Sequence, residues 1–393
     1  MGAVWLAVRI GVLGIFTPDH VRLAAGAEVL DVRRIGGTLQ VGGEAKESAR
    51  LAGTPFVEVT VLDGAGRPRI VRRFRGAIEV REAGGRLQLV NELSEEEYLT
   101  GTVAQEARGG ELEHPEMLKV QAVLARTLLR RGSRHAGEGF ELCDLTHCEV
   151  FRGADGESEA ARAAVRATAD EVLVAGSGTG SGGSVAEVYF TAACGGATAD
   201  ADDIWPSEGG GGGGGGEGAQ GTHAHLRSVP CAACQRVGGY PWQATIALAE
   251  IERAVGRTLG AHRRLTGLRV LERGAGGHVR KVLLEGDGRV LSGERLRILL
   301  GRAAGWNQVK SARFEITMLG GGAQAPVRVR FSGQGQGHGV GVCQAGAAAL
   351  ARKGIDYRAI LERYLPGTRL VKQPAARATS ESASQLDAAA SGR

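Results

Sequence analysis

The first 90 residues alternate apolar and polar side chains in short runs, which is the pattern of half-buried β-strands. Clear examples are "VRIGV" at 8–12, "FVEVTVL" at 56–62 and "RLQLVNEL" at 86–93, with Gly or Asp turns between the runs. Residues 1–90 are therefore predicted to form a β-rich N-terminal section.

Helical patterns begin in the next section, which is predicted to span 91–235. Ser94 and Glu97 form a capping box, the signature of a helix start. A second helix is predicted to begin near Pro115, because proline is favoured in a first turn, and to run through 116–131. This second helix is apolar on nearly every side, which predicts that it is buried.

The rest of the chain mixes both patterns. A helix and a strand are predicted over 157–174, and residues 236–330 are predicted to form a smaller α+β subdomain with a helix at "TIALAEIERAVG", 245–256. The chain then returns to the core at 331–371, and a polar tail at 372–393 is predicted to be disordered. The predicted fold class is α+β: a mixed β-rich core, a helical active-site segment and a smaller inserted α+β subdomain.

The stretch "GQGQGHGVG" at 333–341 places a glycine at every odd position. A period of two is the period of a β-strand, so one face would be bare backbone and the other would carry His338. A bare face is useful where another backbone or a ligand must lie close. The alternative is a glycine-rich bend over a packed helix, with His338 satisfied by a neighbouring group.

One carboxyl group stands out on the first predicted helix. Glu106 continues a one-sided stripe that includes Thr102 and Val103, so it is expected to point inward. Burial would raise its pKa, as a general acid near neutral pH requires. The alternative is that Glu106 caps a helix end or pairs with Arg108 or Arg126.

Two groups of cysteines are candidates for metal binding. The segment "CDLTHC" at 143–148 holds Cys143, His147 and Cys148, and His135 precedes it by eight residues. Zinc commonly binds Cys and His in such clustered loops, whereas a local disulfide between the two cysteines is the competing interpretation.

The second group comprises Cys194, Cys231, Cys234 and Cys343. Two disulfides and a second four-thiolate zinc site both stay open, while a redox "CAAC" pair is disfavoured because no βαβ context surrounds it. Eight consecutive glycines at 209–216 predict a mobile insertion, and the following His223 and His225 are assigned to that mobile loop. They are not counted as metal ligands.

Composition narrows the function further. Of the 393 residues 43% are apolar, yet no apolar run reaches membrane-spanning length, and 48 Lys and Arg against 43 Asp and Glu show no basic stripe. Nucleic-acid binding is therefore not expected. The chain has no early basic region or cleavage site of an export signal, and it has no serine-hydrolase, zinc-protease, Walker or dinucleotide motif. No organic cofactor is expected, which leaves carboxylate chemistry or a metal.

Four segments in order resemble the SpoIID family, which is named for stage II sporulation protein D and also contains LytB amidase enhancers. They are "EEYLTGTVAQEARGGELEHPEMLKVQAVLARTLL", "CDLTHCEVFRG", "VYFTAACGGATADADDIW" and "GQGQGHGVGVCQAGA". The resemblance extends from about residue 7 to 371, and departs in the cysteines of the third and fourth segments and in the glycine insertion.

The resemblance implies a peptidoglycan lytic transglycosylase that cleaves the MurNAc–GlcNAc bond, preferably in strands without stem peptides, and leaves 1,6-anhydro ends. Glu106 matches the family's catalytic Glu, as acid and then base. Cys143, His147 and Cys148 match a structural zinc site most closely, with His135 as the fourth ligand. Candidates for lining the cleft or orienting Glu106 are Gln121, Tyr189, Thr198, His338 and Gln344.

The expected partner is the peptidoglycan glycan strand, and the expected location is the cell envelope, periplasmic or extracytoplasmic. A rival function is a LytB-like modifier that grips glycan and stimulates an N-acetylmuramoyl-L-alanine amidase without cutting bonds. A weaker one is a zinc-stabilised structural protein.

Overall fold

The computed structural model describes residues 7–132, 134–176, 183–206, 224–236, 240–261, 263–320 and 327–374. Within these, contacts separate two compact units. The first unit comprises residues up to 109 with 121–174 and the segment from 370, and the second comprises 110–120 and 175–369. The predicted domain boundaries stay predictions.

The helices and strands of the described residues are, in chain order: β1 Ala7–Val12, β2 His20–Ala25, β3 Glu28–Ile35, β4 Thr38–Val41, β5 Glu44–Lys46, β6 Ser48–Ala52, β7 Val57–Leu62, β8 Pro68–Phe74, β9 Ala77–Ala83, β10 Arg86–Ser94, α1 Glu95–Glu106, α2 Pro115–Arg131, β11 Leu142–Cys143, α3 Glu159–Ala167, β12 Glu171–Ala175, β13 Ser184–Val185, β14 Phe190–Thr191, α4 Ala201–Ile204, α5 Ala232–Arg236, β15 Pro241–Ala247, α6 Leu248–Leu259, β16 Gly267–Arg273, β17 Val279–Glu285, β18 Val290–Leu291, α7 Gly293–Ala304, β19 Phe314–Leu319, β20 Arg328–Gln334, β21 Val342–Cys343, α8 Gln344–Ala351, α9 Tyr357–Tyr364 and β22 Arg369–Lys372. Short 3₁₀ turns lie at Gly14–Phe16, Gly110–Glu113, Ala136–Glu138 and Ala224–Leu226.

The first unit contains two antiparallel sheets. One has the order β11-β1-β10-β9-β6, in which only the β1–β11 pair is parallel, and the other has the order β5-β4-β3-β2-β7-β8. Along β7 the alternate residues Val57, Val59 and Val61 are fully buried, as the sequence period predicts. The α+β class is confirmed, and residues 7–94 contain the strands β1 to β10.

Helices α1 and α3 and residues 121–131 of α2 complete the first unit. The capping box is present, because Ser94 Oγ accepts the Glu97 N–H while the Glu97 carboxylate accepts the Ser94 N–H. Arg126 is buried on α2, where its guanidinium donates to the carbonyl oxygen of Thr168 at 2.7 Å and pairs with Glu95 at 3.3 Å. Arg126 therefore ties α2 to the end of α3, and its ion pair is with Glu95.

The second unit contains the sheets β15-β20-β19 and β16-β17-β18, with α6 and α7 packed on an apolar core. The helix predicted at 245–256 is partly wrong, because Thr245–Ala247 belongs to β15 and pairs with β20, for example Thr245 with Arg330. The helix begins only at Leu248. Local sequence favoured helix, but pairing with a distant strand decided the conformation.

The strand predicted over 333–341 is also wrong beyond its start. Strand β20 ends at Gln334, and the glycines at 335, 337, 339 and 341 all have positive φ, from +76° to +100°. A Cβ at Gly339 would lie 2.3 Å from His278 Nε2, and one at Gly341 would lie 2.1 Å from the Tyr189 carbonyl oxygen. The odd-numbered glycines thus supply a left-handed backbone and close packing, and no alternating strand faces.

Several predictions fall outside the described residues: the start of the chain, the eight-glycine insertion, His223, and the predicted tail beyond 374. His225, by contrast, is described and buried, and its Nε2 lies 2.7 Å from the Glu187 carbonyl oxygen, so its assignment to a mobile loop is wrong. Among the described helices none is both long and apolar enough to cross a membrane.

Candidate functional site

Glu106 is the last residue of α1 and is half-buried in the first unit. Its Oε1 accepts a hydrogen bond of 2.6 Å from the Val150 N–H. Burial raises the pKa of Glu106 above its ordinary value, and the Val150 hydrogen bond opposes that rise without cancelling it. The side chain can therefore carry a proton at a higher pH than an exposed glutamate, and a hydrogen-bond donor already faces the carboxylate that remains after the proton leaves.

Close packing places the Val150 N–H. A Cβ at Gly101 on α1 would lie 2.8 Å from the Phe151 ring, so only glycine allows this ring to approach the helix. The same ring lies 5.2 Å from that of Tyr98, centroid to centroid. These contacts hold the 150–151 backbone against α1, the helix that carries Glu106.

A second carboxyl group, Glu149, was missed by sequence reasoning. It is buried, and the Tyr98 hydroxyl donates to its Oε2 at 3.4 Å. Burial raises the pKa of Glu149 well above its usual range, and the negative charge of Glu106 adds to the rise. Glu149 is thereby favoured in its neutral form. The one feature of the sequence that could have indicated a buried carboxyl group was the position of Glu149 between Cys148 and two apolar residues.

The four predicted ligands His135, Cys143, His147 and Cys148 converge in the first unit, with all ligand atoms within 4.8 Å of one another. The His135 and His147 Nε2 atoms are 3.1 Å apart, and Cys143 Sγ lies 3.5 Å from His147 Nε2. Cys148 Sγ lies 3.5 Å from His135 Nε2. Ligand atoms around one tetrahedral zinc ion are roughly 3.3–3.8 Å apart, so the set fits such an ion.

Of the two thiols in this Cys/His cluster only Cys148 is favoured as a thiolate, because the hydrogen bond between them raises the pKa of Cys143 and lowers that of Cys148. The Cys143 thiol, through its hydrogen bond, lowers the pKa of Cys148 to about 5, which favours a thiolate. His135 Nδ1 lies 2.6 Å from Glu138 Oε1, an outer carboxylate that orients the ring and directs its Nε2 toward the other ligands. The cysteines are buried, whereas His147 is exposed.

One loop connects this cluster to Glu106. Cys148 is two residues before Val150, whose N–H bonds the Glu106 carboxylate, and Glu149 lies between them. The loop is anchored at its other end, where Asp144 Oδ2 accepts the Leu13 N–H at 2.8 Å. An ion held by the Cys/His cluster would therefore fix the segment that orients Glu106.

The second unit contains a group of half-buried rings. Tyr189 lies 4.7 Å from Trp205 and 6.0 Å from His338, and the latter two are 5.2 Å apart, between ring centroids. The Tyr189 hydroxyl donates to Glu187 Oε1 at 2.5 Å. Trp205 was not among the predicted site residues, although it ends the third family-like segment. We call these three rings the aromatic group.

His338 is uncharged at neutral pH in this group. Burial lowers its pKa to about 4, and its Nδ1 accepts the Val340 N–H at 3.1 Å. The nearby His278 is buried as well, and neither of its ring nitrogens has a hydrogen-bond partner within the described part of the chain. His338 therefore offers a neutral ring beside Trp205.

The remaining predicted side chains are buried. Thr198 Oγ1 accepts the Val229 N–H at 2.8 Å, which is a structural contact within the second unit. Gln344 begins α8 in that unit, and Gln121 lies on α2 in the first unit. The four cysteines Cys194, Cys231, Cys234 and Cys343 are brought together in the second unit, with free thiols.

Comparisons with known proteins match two segments of the chain. Residues 232–341 match a domain of unknown function (DUF8618), and a search of the curated proteins found no match. Residues 83–174, which include Glu106 and the Cys/His cluster, match the family model described as Stage II sporulation protein, SpoIID. The segment 83–174 therefore carries a SpoIID domain, and that family is associated with cell-wall-related, peptidoglycan-degrading activity.

Proposed function

We propose that this protein is a lytic transglycosylase that cleaves the MurNAc–GlcNAc bond of peptidoglycan strands, preferably strands without stem peptides. The observation that carries the proposal is the position of Glu106: half-buried, with a raised pKa, and held by the Val150 N–H at 2.6 Å. The family membership of the surrounding segment supports it.

In the first step, the neutral Glu106 carboxyl donates its proton to the glycosidic oxygen as the bond to the muramoyl C1 breaks. The developing carboxylate is stabilised by the Val150 N–H, which already faces Oε1. Catalysis gains from this donor because it acts more strongly on the charged product state of the acid than on the neutral reactant state.

In the second step, the Glu106 carboxylate removes the proton of the muramoyl C6 hydroxyl, and that oxygen bonds to C1. The product is a 1,6-anhydro end, and the glutamate recovers its proton. No carboxylate nucleophile is required, which suits a site where burial raises the pKa of Glu149, the neighbouring carboxyl group, well above its usual range.

The metal that we propose for the Cys/His cluster is zinc in a structural role. His135, Cys143, His147 and Cys148 would hold it, and a closed set of two nitrogens and two sulfurs leaves no position for substrate. Zinc would supply cross-linking of the loop. The loop itself would then keep the Val150 N–H hydrogen-bonded to the Glu106 carboxylate.

The aromatic group of the second unit is suited to sugar rings. Half-buried Tyr189 and Trp205 expose ring surface beside a neutral His338, and apolar sugar faces stack on such rings. We propose that they contribute to glycan binding in the second unit. Trp205→Ala is expected to weaken retention on insoluble glycan about tenfold, whereas the exposed Trp306→Ala serves as the control.

The test of the enzyme is mass spectrometry of products from denuded glycan strands. Wild type should release anhydro-muramoyl fragments, and Glu106→Gln should slow release roughly 100- to 10,000-fold, because the amide cannot donate the proton. Glu106→Gln keeps an acceptor for the Val150 N–H, so its fold should survive.

Two results would contradict this proposal. Unchanged release by Glu106→Gln would remove Glu106 from the chemistry, and absence of anhydro products from wild type would remove transglycosylation. Binding of glycan together with stimulation of an N-acetylmuramoyl-L-alanine amidase that survives Glu106→Gln would instead identify a modifier.

A further inference from the structure

The second unit gathers four cysteines from three parts of the chain. Cys194 follows β14, Cys231 and Cys234 flank the start of α5, and Cys343 ends β21. Their Sγ atoms all lie within 4.8 Å of one another, and each residue is fully buried. Strands β14 and β21 pair in parallel, with Thr191 opposite Cys343, which brings the first and last of these segments together.

The arrangement differs from that expected of two disulfides. In two disulfides each sulfur has one close partner, whereas here every sulfur is close to all three others. Four sulfurs bound at about 2.3 Å to one tetrahedral ion lie roughly 3.8 Å apart, which matches this convergence. The same spacing leaves no room at the centre for a cluster of several metal ions.

Hydrogen-bond donors already face the sulfurs. Cys343 Sγ accepts the Cys194 N–H at 3.3 Å and the Gly346 N–H at 3.4 Å, the latter at the start of α8. The Tyr364 hydroxyl lies 3.0 Å from Cys231 Sγ. Donors of this kind stabilise thiolates, whose excess negative charge a divalent ion neutralises only in part.

Glycines near the four cysteines allow neighbouring groups to approach the sulfurs closely. A Cβ at Gly346 would lie 2.5 Å from Cys231 Sγ and 2.2 Å from the Tyr364 hydroxyl. Gly195 and Gly196, directly after Cys194, have φ of +76° and +123°, and the Gly196 carbonyl oxygen accepts the Cys231 N–H at 2.9 Å. The chain therefore turns directly after Cys194, and this turn is hydrogen-bonded to the backbone at Cys231.

We propose that Cys194, Cys231, Cys234 and Cys343 bind one zinc ion as a buried four-thiolate site, a second metal centre besides the Cys/His cluster. All four ligands come from protein, so the site is structural. It fixes the end of the glycine-rich segment 335–343 to the Cys194 loop and to α5. The proposal does not depend on glycan cleavage.

The test measures metal content and coordination of the purified full chain. Elemental analysis should find about two zinc ions per chain, and X-ray absorption should give an average of about three sulfurs and one nitrogen per zinc. Cys143→Ser/Cys148→Ser should retain about one zinc with four sulfurs. Cys194→Ser/Cys343→Ser should retain about one zinc with two sulfurs and two nitrogens, if the second unit still folds.

Three results would each overturn the proposal: a wild type with about one zinc and mixed sulfur–nitrogen coordination, iron in place of zinc, or disulfides. Disulfides are detected by alkylation of the denatured, chelator-treated, unreduced chain followed by mass measurement. The four-thiolate site predicts alkylation of every cysteine. Because wild type and the Cys143→Ser/Cys148→Ser variant decide the outcome, misfolding of the other variant would not obscure it.

Discussion

The two cysteine-containing clusters use the same soft ligands in different surroundings. In the first unit two buried cysteines join a half-buried His135 and an exposed His147, and Cys148 is two residues from the donor that holds Glu106. In the second unit four buried cysteines lie together, and one of them, Cys343, directly follows the segment of left-handed glycines. In our proposals the first cluster positions Glu106, whereas the second fixes a glycine-rich backbone with positive φ. Damage to the first should therefore reduce activity, and damage to the second should reduce stability.

The largest effect is expected in the glycine-rich segment. Gly341→Ala combines positive φ with a Cβ 2.1 Å from the Tyr189 carbonyl oxygen, so it should lower the free energy of unfolding by about 3–5 kcal/mol. Gly354→Ala is the matched control, since its φ is +78° and nothing lies within 4 Å of its Cβ, and it should cost about 1–2 kcal/mol. Urea denaturation measures both.

Equal losses in the two variants would mean that the close approach at Gly341 contributes nothing, and that backbone conformation alone selects glycine there.

We also expect Gly337→Val to impair glycan cleavage more than a surface change does, because a Cβ at Gly337 would lie 2.4 Å from Thr191 Oγ1.

A smaller effect, on rate, is expected from the Cys/His cluster. Cys148→Ser should lower glycan cleavage roughly 10- to 100-fold, because the loop that carries Val150 loses its fixed position. The melting temperature should fall less than in Cys194→Ser/Cys343→Ser, since His147 of this cluster is exposed whereas all four cysteines of the second unit are fully buried. Glu138→Gln, which keeps the four ligands, should have a weaker effect.

Metal analysis and cleavage rates of the same samples test this expectation. If Cys148→Ser loses its metal and keeps full activity, the cluster does not position Glu106. If it unfolds, the two clusters share one role and the contrast between them fails.

The sequence could predict parts of this structure and not others for physical reasons. Glu106 was found because helix period is local, and the stripe through Val103 fixes which way it points. Glu149 was missed because its burial depends on the 148–151 loop packing against α1, a contact between residues about fifty positions apart.

The glycine-rich segment shows a different limit. Glycines at every second position predicted a strand with two faces at 333–341. The conformation is instead decided by positive φ, and glycine is compatible with either sign of φ. The members of the two clusters, by contrast, could be named from the sequence, because Cys143, His147 and Cys148 lie close together in one segment and Cys231 and Cys234 in another. Which thiols meet across the chain required the pairing of β14 with β21.

The smallest expected effect is the change of folding stability with pH. It has opposite signs for Glu106 in the first unit and for Glu116 in the second. The pKa of Glu106 is raised by burial, so with rising pH the unfolded chain releases this proton first, near the ordinary value of 4.5. Stability is therefore lost as pH rises from there through the folded pKa. Glu106→Gln should be more stable than wild type at pH 7 and equal to it below that window.

In the second unit Glu116 behaves in the opposite way. Desolvation favours its neutral form, but hydrogen bonds from Lys119 at 2.6 Å and from the Tyr357 N–H at 2.9 Å lower its pKa overall. Its contribution is present above pH 4.5 and is lost as pH falls through the lowered folded pKa. Glu116→Gln should thus be less stable than wild type at pH 7, by about 1 kcal/mol, and should approach it in acid.

Urea titrations of both variants at pH 4 and 7 measure the two differences. The same sign for both would show that Glu106 is not held in a desolvated position, and an acid that is not desolvated would have no raised pKa with which to protonate the glycosidic oxygen near neutral pH.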